Sequence, residues 1–213
     1  MRRKNNKGGR EILETYKTGT TTVAIVAKDS IVLAADMQAT MGNLQSNTEM
    51  TKIYNINDQL AVTIAGSVGD ALVLVRFLKV QANLFELERK TPMTTKACAT
   101  LLSNILNANK MVPYVTQFIL AGSVGGLALY NIDIAGGIVE EKDFSYSGSG
   151  SELALSALDR NFKKGLTTDE AIKLAKEAIS SAKKRDIYTG GQGIKIVVVK
   201  KDRIEELPIV KYN

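Results

Sequence analysis

Gly19-Thr20-Thr21-Thr22-Val23-Ala24-Ile25-Val26 is the stretch from which the rest of the chain can be read: a small residue, then threonines, at the mouth of an apolar strand. The 213 residues include no histidine, so Ser-His-Asp and Cys-His arrangements are excluded and a hydroxyl nucleophile needs another base. Scission of the Gly19–Thr20 bond would make Thr20 an N-terminal residue, whose own α-amine could take the hydroxyl proton. An α-amine titrates near about pH 8, which suits a general base at working pH. Residues 1–19 therefore read as a removable propeptide, and residues 20–213 as one domain.

Two charged residues complete the pattern at short range. Asp36 ends the apolar run Ser30-Ile31-Val32-Leu33-Ala34-Ala35, where a hairpin partner of the Thr20 strand would finish. Lys52 precedes Ile53-Tyr54-Asn55-Ile56, the start of another strand. A buried lysine oriented by a carboxylate would lower the cost of deprotonating a threonine hydroxyl. Each residue alone has a plainer explanation: β propensity for the threonines, a turn for the aspartate, solvation for the lysine. The ordered combination carries the argument.

Composition sets the bounds. A chain of this length with 45% apolar residues can bury one large core. One cysteine, Cys98, excludes an internal disulfide and fits a reducing compartment, so a cytoplasmic location is expected. With no histidine and one cysteine the sequence offers no transition-metal ligand set, and no cofactor is expected. No stretch has the length of a membrane span. Residues 1–19 hold six basic side chains (Arg2, Arg3, Lys4, Lys7, Arg10, Lys17) and two acids (Glu11, Glu14), a net of +4 out of +6. Such an arm could bind nucleic acid or an anionic surface, but it reads as a solvated tail, so neither nucleic acid nor membrane is expected as a partner. It lacks the apolar centre of a secretory signal.

Periodicity orders the rest as strands, helices, strands, helices, strand. Thr20–Ala27 and Ser30–Ala35 read as a hairpin about Lys28-Asp29, and Lys52–Ile56 and Leu60–Ala65 as a second about Asn57-Asp58. A long helix opens at Gly66-Ser67-Val68-Gly69, with Ala71, Leu74, Val75, Leu78, Ala82 and Phe85 at helical spacing. Thr94 or Thr95 could cap a second helix ending near Asn109. Tyr114–Ala121 and Leu127–Ile132 pair next, followed by Ile138-Val139 and Phe144–Ser147. A third helix follows Gly148-Ser149-Gly150, a fourth runs from Thr167 to about Lys184, and Ile194–Val199 is read as the last strand. This order points to an α+β fold, two sheets face to face with helix pairs outside.

With that layout in place the chain resembles a proteasome β subunit, most similar to those of archaea, in the N-terminal nucleophile hydrolase superfamily. The resemblance runs from Thr20 onward. Its segments are Gly19-Thr20-Thr21-Thr22-Val23, Leu33-Ala34-Ala35-Asp36, Thr40-Met41-Gly42-Asn43, Lys52-Ile53-Tyr54, Ala65-Gly66-Ser67-Val68-Gly69-Asp70, Ala99-Thr100-Leu101-Leu102-Ser103-Asn104, Gly148-Ser149-Gly150-Ser151 and Ala182-Lys183-Lys184-Arg185-Asp186.

The resemblance implies a four-layer αββα sandwich, assembled into stacked seven-membered rings with α subunits and other β subunits. It implies a regulatory ATPase acting through the α rings and polypeptide substrates. It implies autolysis at Gly19–Thr20, with Thr20 as nucleophile and Asp36 and Lys52 as its charged partners. Ser149, Asp186 and Thr189 fall around the α-amine and hydroxyl, and the Gly66 N–H matches the oxyanion donor. Thr40 would pair its backbone with an extended substrate. Ala39, Met50, Ile64 and Val68 line the pocket for the residue before the scissile bond, and their apolar character implies cleavage after hydrophobic residues.

The sequence departs from the family pattern at three positions: Ala24 stands for a glycine, Gln38 for an arginine and Thr189 for a serine. These departures keep open an alternative, a silent or poorly processed subunit with a structural or regulatory role in a mixed ring. Gly148-Ser149-Gly150-Ser151 before a helix could cradle a phosphate. It lacks the P-loop lysine and reads as a tight turn.

Overall fold

The computed structural model describes residues 19–212; residues 1–18, all of the expected leader but its last glycine, and Asn213 lie outside the described residues. The chain opens with the expected hairpin, β1 (Thr21–Val26) against β2 (Ser30–Asp36). A short, exposed hairpin follows, β3 (Ala39–Met41) and β4 (Leu44–Asn47), which the periodicity had not indicated. β5 (Ile53–Asn57) and β6 (Leu60–Gly66) form the next pair.

Helix α1 (Val68–Arg89) starts on the Ser67 cap, and α2 (Thr95–Ala108) on Thr94, whose hydroxyl accepts from the Ala97 N–H at 3.2 Å. Such caps satisfy donors that a helix start leaves without intrahelical partners. β7 (Thr116–Gly122), β8 (Ala128–Ile132) and β9 (Ile138–Glu141) extend the sheet begun by β5 and β6. β10 (Phe144–Gly148) crosses to the first sheet beside β1. Helix α3 (Ser151–Asn161) follows, then α4 (Thr168–Lys183), which opens on a reciprocal capping box of Thr167 and Glu170. β11 (Ile194–Lys200) pairs with β2, but it does not close the chain as expected: β12 (Ile204–Glu206) adds an edge strand beyond it.

The two antiparallel sheets run β10-β1-β2-β11-β12 and β5-β6-β7-β8-β9. Side chains alternate across each strand, and the alternation sorts the core into three layers. Val32 and Ala34 of β2, with Ile196 and Val198 of β11, pack under α3 and α4. Their neighbours Ile31, Leu33, Val197 and Val199 meet Ile119 and Leu129 of the other sheet. Phe118 and Leu120 then turn outward under α1 and α2. The result is the αββα sandwich, with Ala24 fully buried between the sheets, where only a small side chain is present.

One face of α1 is left over. Val73, Phe77, Val80, Leu84 and Leu87 are 40–67% exposed and recur at alternating spacings of four and three. That is the spacing of a seam meant for another helix, and an exposed apolar stripe of this kind marks a protein contact.

Candidate active site

Every residue proposed from the sequence for chemistry converges on the end of the inter-sheet space where β1 begins. The chain runs unbroken through Gly19–Thr20, so the Thr20 nitrogen is an amide, and it donates to Ser149 Oγ at 3.2 Å. Thr20 is nearly buried, at 5% exposure, and its hydroxyl donates to the Gly19 carbonyl oxygen at 2.7 Å. Lys52 Nζ donates to that same oxygen at 3.3 Å and to Asp36 Oδ1 at 2.7 Å. Hydroxyl, ammonium and the carbonyl of the Gly19–Thr20 bond are therefore neighbours.

Asp36 is a hub. Besides Lys52, its carboxylate accepts from the Thr21 N–H at 2.9 Å, the Gln38 N–H at 3.1 Å and the Gly190 N–H at 2.9 Å. It is fully buried and Lys52 is 3% exposed. A buried ion pair survives only when its remaining hydrogen-bonding capacity is met, and these backbone donors meet it. Burial pushes the Lys52 ammonium below its ordinary pKa of 10.5, while Asp36, and more weakly Asp186, pull it back up.

On the other side of Thr20 lies a second network. Asp186 Oδ2 accepts from Ser149 Oγ at 2.7 Å and from Thr189 Oγ1 at 2.6 Å, and Thr189 Oγ1 is 2.5 Å from Thr21 Oγ1. The side-chain bonds of Thr189 thus run through its hydroxyl, the group a serine would also offer. Gln38 substitutes a bridge for the missing charge: its Nε2 donates to the Ile187 carbonyl at 2.9 Å and to Thr40 Oγ1 at 3.2 Å. Sequence reasoning missed Thr21, Gly190 and this bridging role of Gln38. Thr21 reads as strand propensity and Gly190 as loop, and only the tertiary fold brings them to Asp36 and Asp186.

The substrate-side expectations share one cleft of about 30 Å³, lined by Gly19, Thr20, Gln38, Ala39, Thr40, Met50, Lys52, Ile64, Gly66 and Val68. Gly66 has φ +117°, and a Cβ there would lie 2.3 Å from the Val115 carbonyl oxygen, so no other residue fits without strain. In this state the Gly19 carbonyl bonds Thr20 and Lys52, and no bond to it from the Gly66 N–H is among those of the described residues. A larger groove of about 610 Å³ lies along α4, lined among others by Lys173, Lys176, Lys183 and Tyr212; it contains none of the proposed site residues. Among the described residues no group of His, Cys, Asp and Glu could hold a metal ion, and no helix is long and apolar enough to cross a membrane.

The hub gives a sharp stability expectation. Asp36→Ala leaves the Lys52 ammonium buried without its partner and should cost about 3–5 kcal/mol of folding free energy, read from denaturant unfolding. A lysine with a lowered folded pKa binds its proton more tightly when unfolded. Stability therefore rises with pH from that folded value up to 10.5. Without the Asp36 charge the folded value falls further, so melting temperature plotted against pH should begin its rise at lower pH in the variant.

Residues 16–199 match the family described as "Proteasome subunit". A protein of Thermococcus onnurineus called proteasome subunit beta 2 is 47% identical over 201 residues, covering 94% of this chain and all of that protein. Proteasome subunit beta 1 of Thermococcus gammatolerans is 45% identical over 194 residues, 91% of this chain and 96% of its own length. A proteasome subunit beta of Methanococcus maripaludis is 42% identical over 196 residues, 91% and 89% of the two chains.

Proposed function

This chain belongs to the proteasome subunit family, and from that premise we propose that it is a threonine endopeptidase subunit of the proteasome core, activated by removal of residues 1–19. It assembles with α-type and other β-type subunits in rings, and the apolar stripe on α1 supports such contacts. The observation that carries the activity is the meeting of Thr20 Oγ1 and Lys52 Nζ on the Gly19 carbonyl oxygen, 2.7 and 3.3 Å away, with Asp36 behind the lysine.

The first reaction is on the chain itself. Thr20 has no α-amine while Gly19 is attached, so the base for leader removal is the neutral form of Lys52, which burial makes more accessible. Thr20 Oγ bonds to the Gly19 carbonyl carbon and passes its proton to the amine. The C–N bond breaks, and the Thr20 nitrogen takes a proton as it leaves, giving an ester. Water then hydrolyses the ester, releasing the Gly19 carboxylate and regenerating the hydroxyl beside a free α-amine. To use Gly66 as oxyanion donor, the Gly19 carbonyl must turn from its resting bonds; such a donor contributes roughly 3–4 kcal/mol in acyl transfer.

The mature site would act on polypeptides by the same sequence. Thr40, on the short strand β3, presents backbone to an extended chain. Met50, Ile64 and Val68 favour an apolar side chain before the cut. Ser149, Asp186 and Thr189 hold the new α-amine. Gln38 and Thr189, two of the three departures that kept a silent subunit in play, both make bonds that brace the site, which favours the active reading. The particle is proposed to work in the cytoplasm with a regulatory ATPase on the α rings.

Intact-mass measurement of this chain within the assembled particle tests the reading. A chain beginning at Thr20 is the expected result; a chain retaining Met1 through Gly19 in a complete particle would return the silent-subunit alternative.

A further inference from the structure

We propose that Tyr188 is a positioning residue that makes glycine obligatory on the leader side of the Gly19–Thr20 bond. Its functional meaning rests on the peptidase reading above; its substance is steric. A Cβ at Gly19 would lie 1.6 Å from Tyr188 Cβ, 2.4 Å from its Cγ and 2.8 Å from its Cα. Carbon atoms make favourable contact at about 3.5–4.0 Å, so every one of these is a collision. Rotating the tyrosine does not help, because Cα and Cβ are not moved by χ1.

Neither partner can recede cheaply. The Tyr188 N–H donates to Asp186 Oδ1 at 3.2 Å, and the Thr189 N–H to the Asp186 carbonyl at 3.2 Å. On either side, the Ile187 carbonyl is held by Gln38 and the Gly190 N–H by Asp36. Gly19 is held through its carbonyl by Thr20 and Lys52. A side chain at position 19 would therefore have to displace either the Asp186–Gly190 loop, which carries the second network, or the carbonyl under attack.

The prohibition applies to self-cleavage alone. The carbonyl carbon of Gly19 is tied to the Thr20 nitrogen, so its Cα substituent direction is fixed toward Tyr188. A substrate that enters after the leader has gone is not tied in this way. It can approach along another backbone path, with its side chain in the Met50, Ile64 and Val68 cleft. One site can thus demand glycine of its own leader and accept bulky residues from substrates.

The test follows leader loss by intact mass over time in the complete particle. Gly19→Ala should slow it at least about a hundredfold, the size expected of a misplacement near 1 Å. Adding Tyr188→Ala should not help, because alanine keeps the colliding Cβ. Adding Tyr188→Gly should recover at least about tenfold of the loss, since it removes the two nearest of the three collisions and leaves the 2.8 Å one. Gly19→Ala processing at the parent rate, or no gain from Tyr188→Gly over Tyr188→Ala, would overturn the proposal.

A parent chain that never loses its leader would instead refute the peptidase reading, and the steric pairing is then read without activity. In a Thr20→Ala particle, Gly19→Ala should lower the melting temperature and Tyr188→Gly should reverse most of that loss; simply additive losses count against the pairing. If Gly19→Ala particles assemble only when position 188 is glycine, the pairing is supported in its strongest form.

Discussion

With alanine in place of Thr20, residues 1–19 are expected to stay attached and peptide hydrolysis to fall below detection, while rings still assemble. Among the described residues the hydroxyl makes one hydrogen bond, to the Gly19 carbonyl, and losing a bond of that kind costs about 0.5–1.5 kcal/mol. That is small beside the three packed layers of the core. The catalytic loss is of another order, because removing the nucleophile of a concerted hydrolytic group costs on the order of 10⁶ in turnover. Intact mass reads leader retention and a chromogenic peptide ending in a hydrophobic residue reads hydrolysis. Thr20→Ser keeps the oxygen and should retain both reactions at reduced rate. Leader release at normal speed in Thr20→Ala would remove Thr20 from the mechanism.

Lys52→Arg is expected to be nearly as severe, about 10²–10⁴-fold down in both reactions, the range for a lost general base. The pair with Asp36 and the reach to the Gly19 carbonyl are sized for one compact ammonium. A guanidinium keeps the charge but does not give up its proton in a protein. The pH profile separates the two ideas. Burial lowers the Lys52 pKa, so the neutral amine gains population as pH rises through a value below 10.5, and leader removal should accelerate over that window. No α-amine exists at Thr20 before the cut, so this limb cannot be its titration. Lys52→Arg should lack the limb altogether. A variant with near-normal rate and only a displaced optimum would make Lys52 a peripheral charge.

The residues that were legible in the sequence share a property: their signal is local. Hairpin β1–β2 shows itself by alternation about Lys28-Asp29, and α1, α2 and α4 by capping residues and helical spacing, with the start of α1 and both ends of α2 and α4 within one or two residues of those expected. Thr20, Asp36 and Lys52 lie within one run of strands, and the absence of histidine narrowed the chemistry. What stayed hidden was either too short or too distant. The β3–β4 hairpin is mostly exposed and carries no apolar face to alternate. β12 is a three-residue edge, Ile204–Glu206, whose pairing is set by β11 rather than by its own pattern. Gly190 and Tyr188 are far along the chain from the residues they govern, so no window of sequence contains both partners. Gln38 read as a lost positive charge, and only its amide geometry shows it as a brace.

The four donors that converge on Asp36 belong to Thr21, Gln38, Lys52 and Gly190, and this spread sets a clock. Chains are made from the N-terminus at about 5–20 residues per second, so the threonine emerges among the first residues and Gly190 among the last. Until the final part of the chain has been synthesised and folded back, Lys52 lacks the completed carboxylate hub and Thr189 and Asp186 are missing from the second network. A nascent or truncated chain thus carries the hydroxyl without the surroundings that would arm it. On the peptidase reading, the order of translation keeps Thr20 without its partners until Gly190 has been made and folded back.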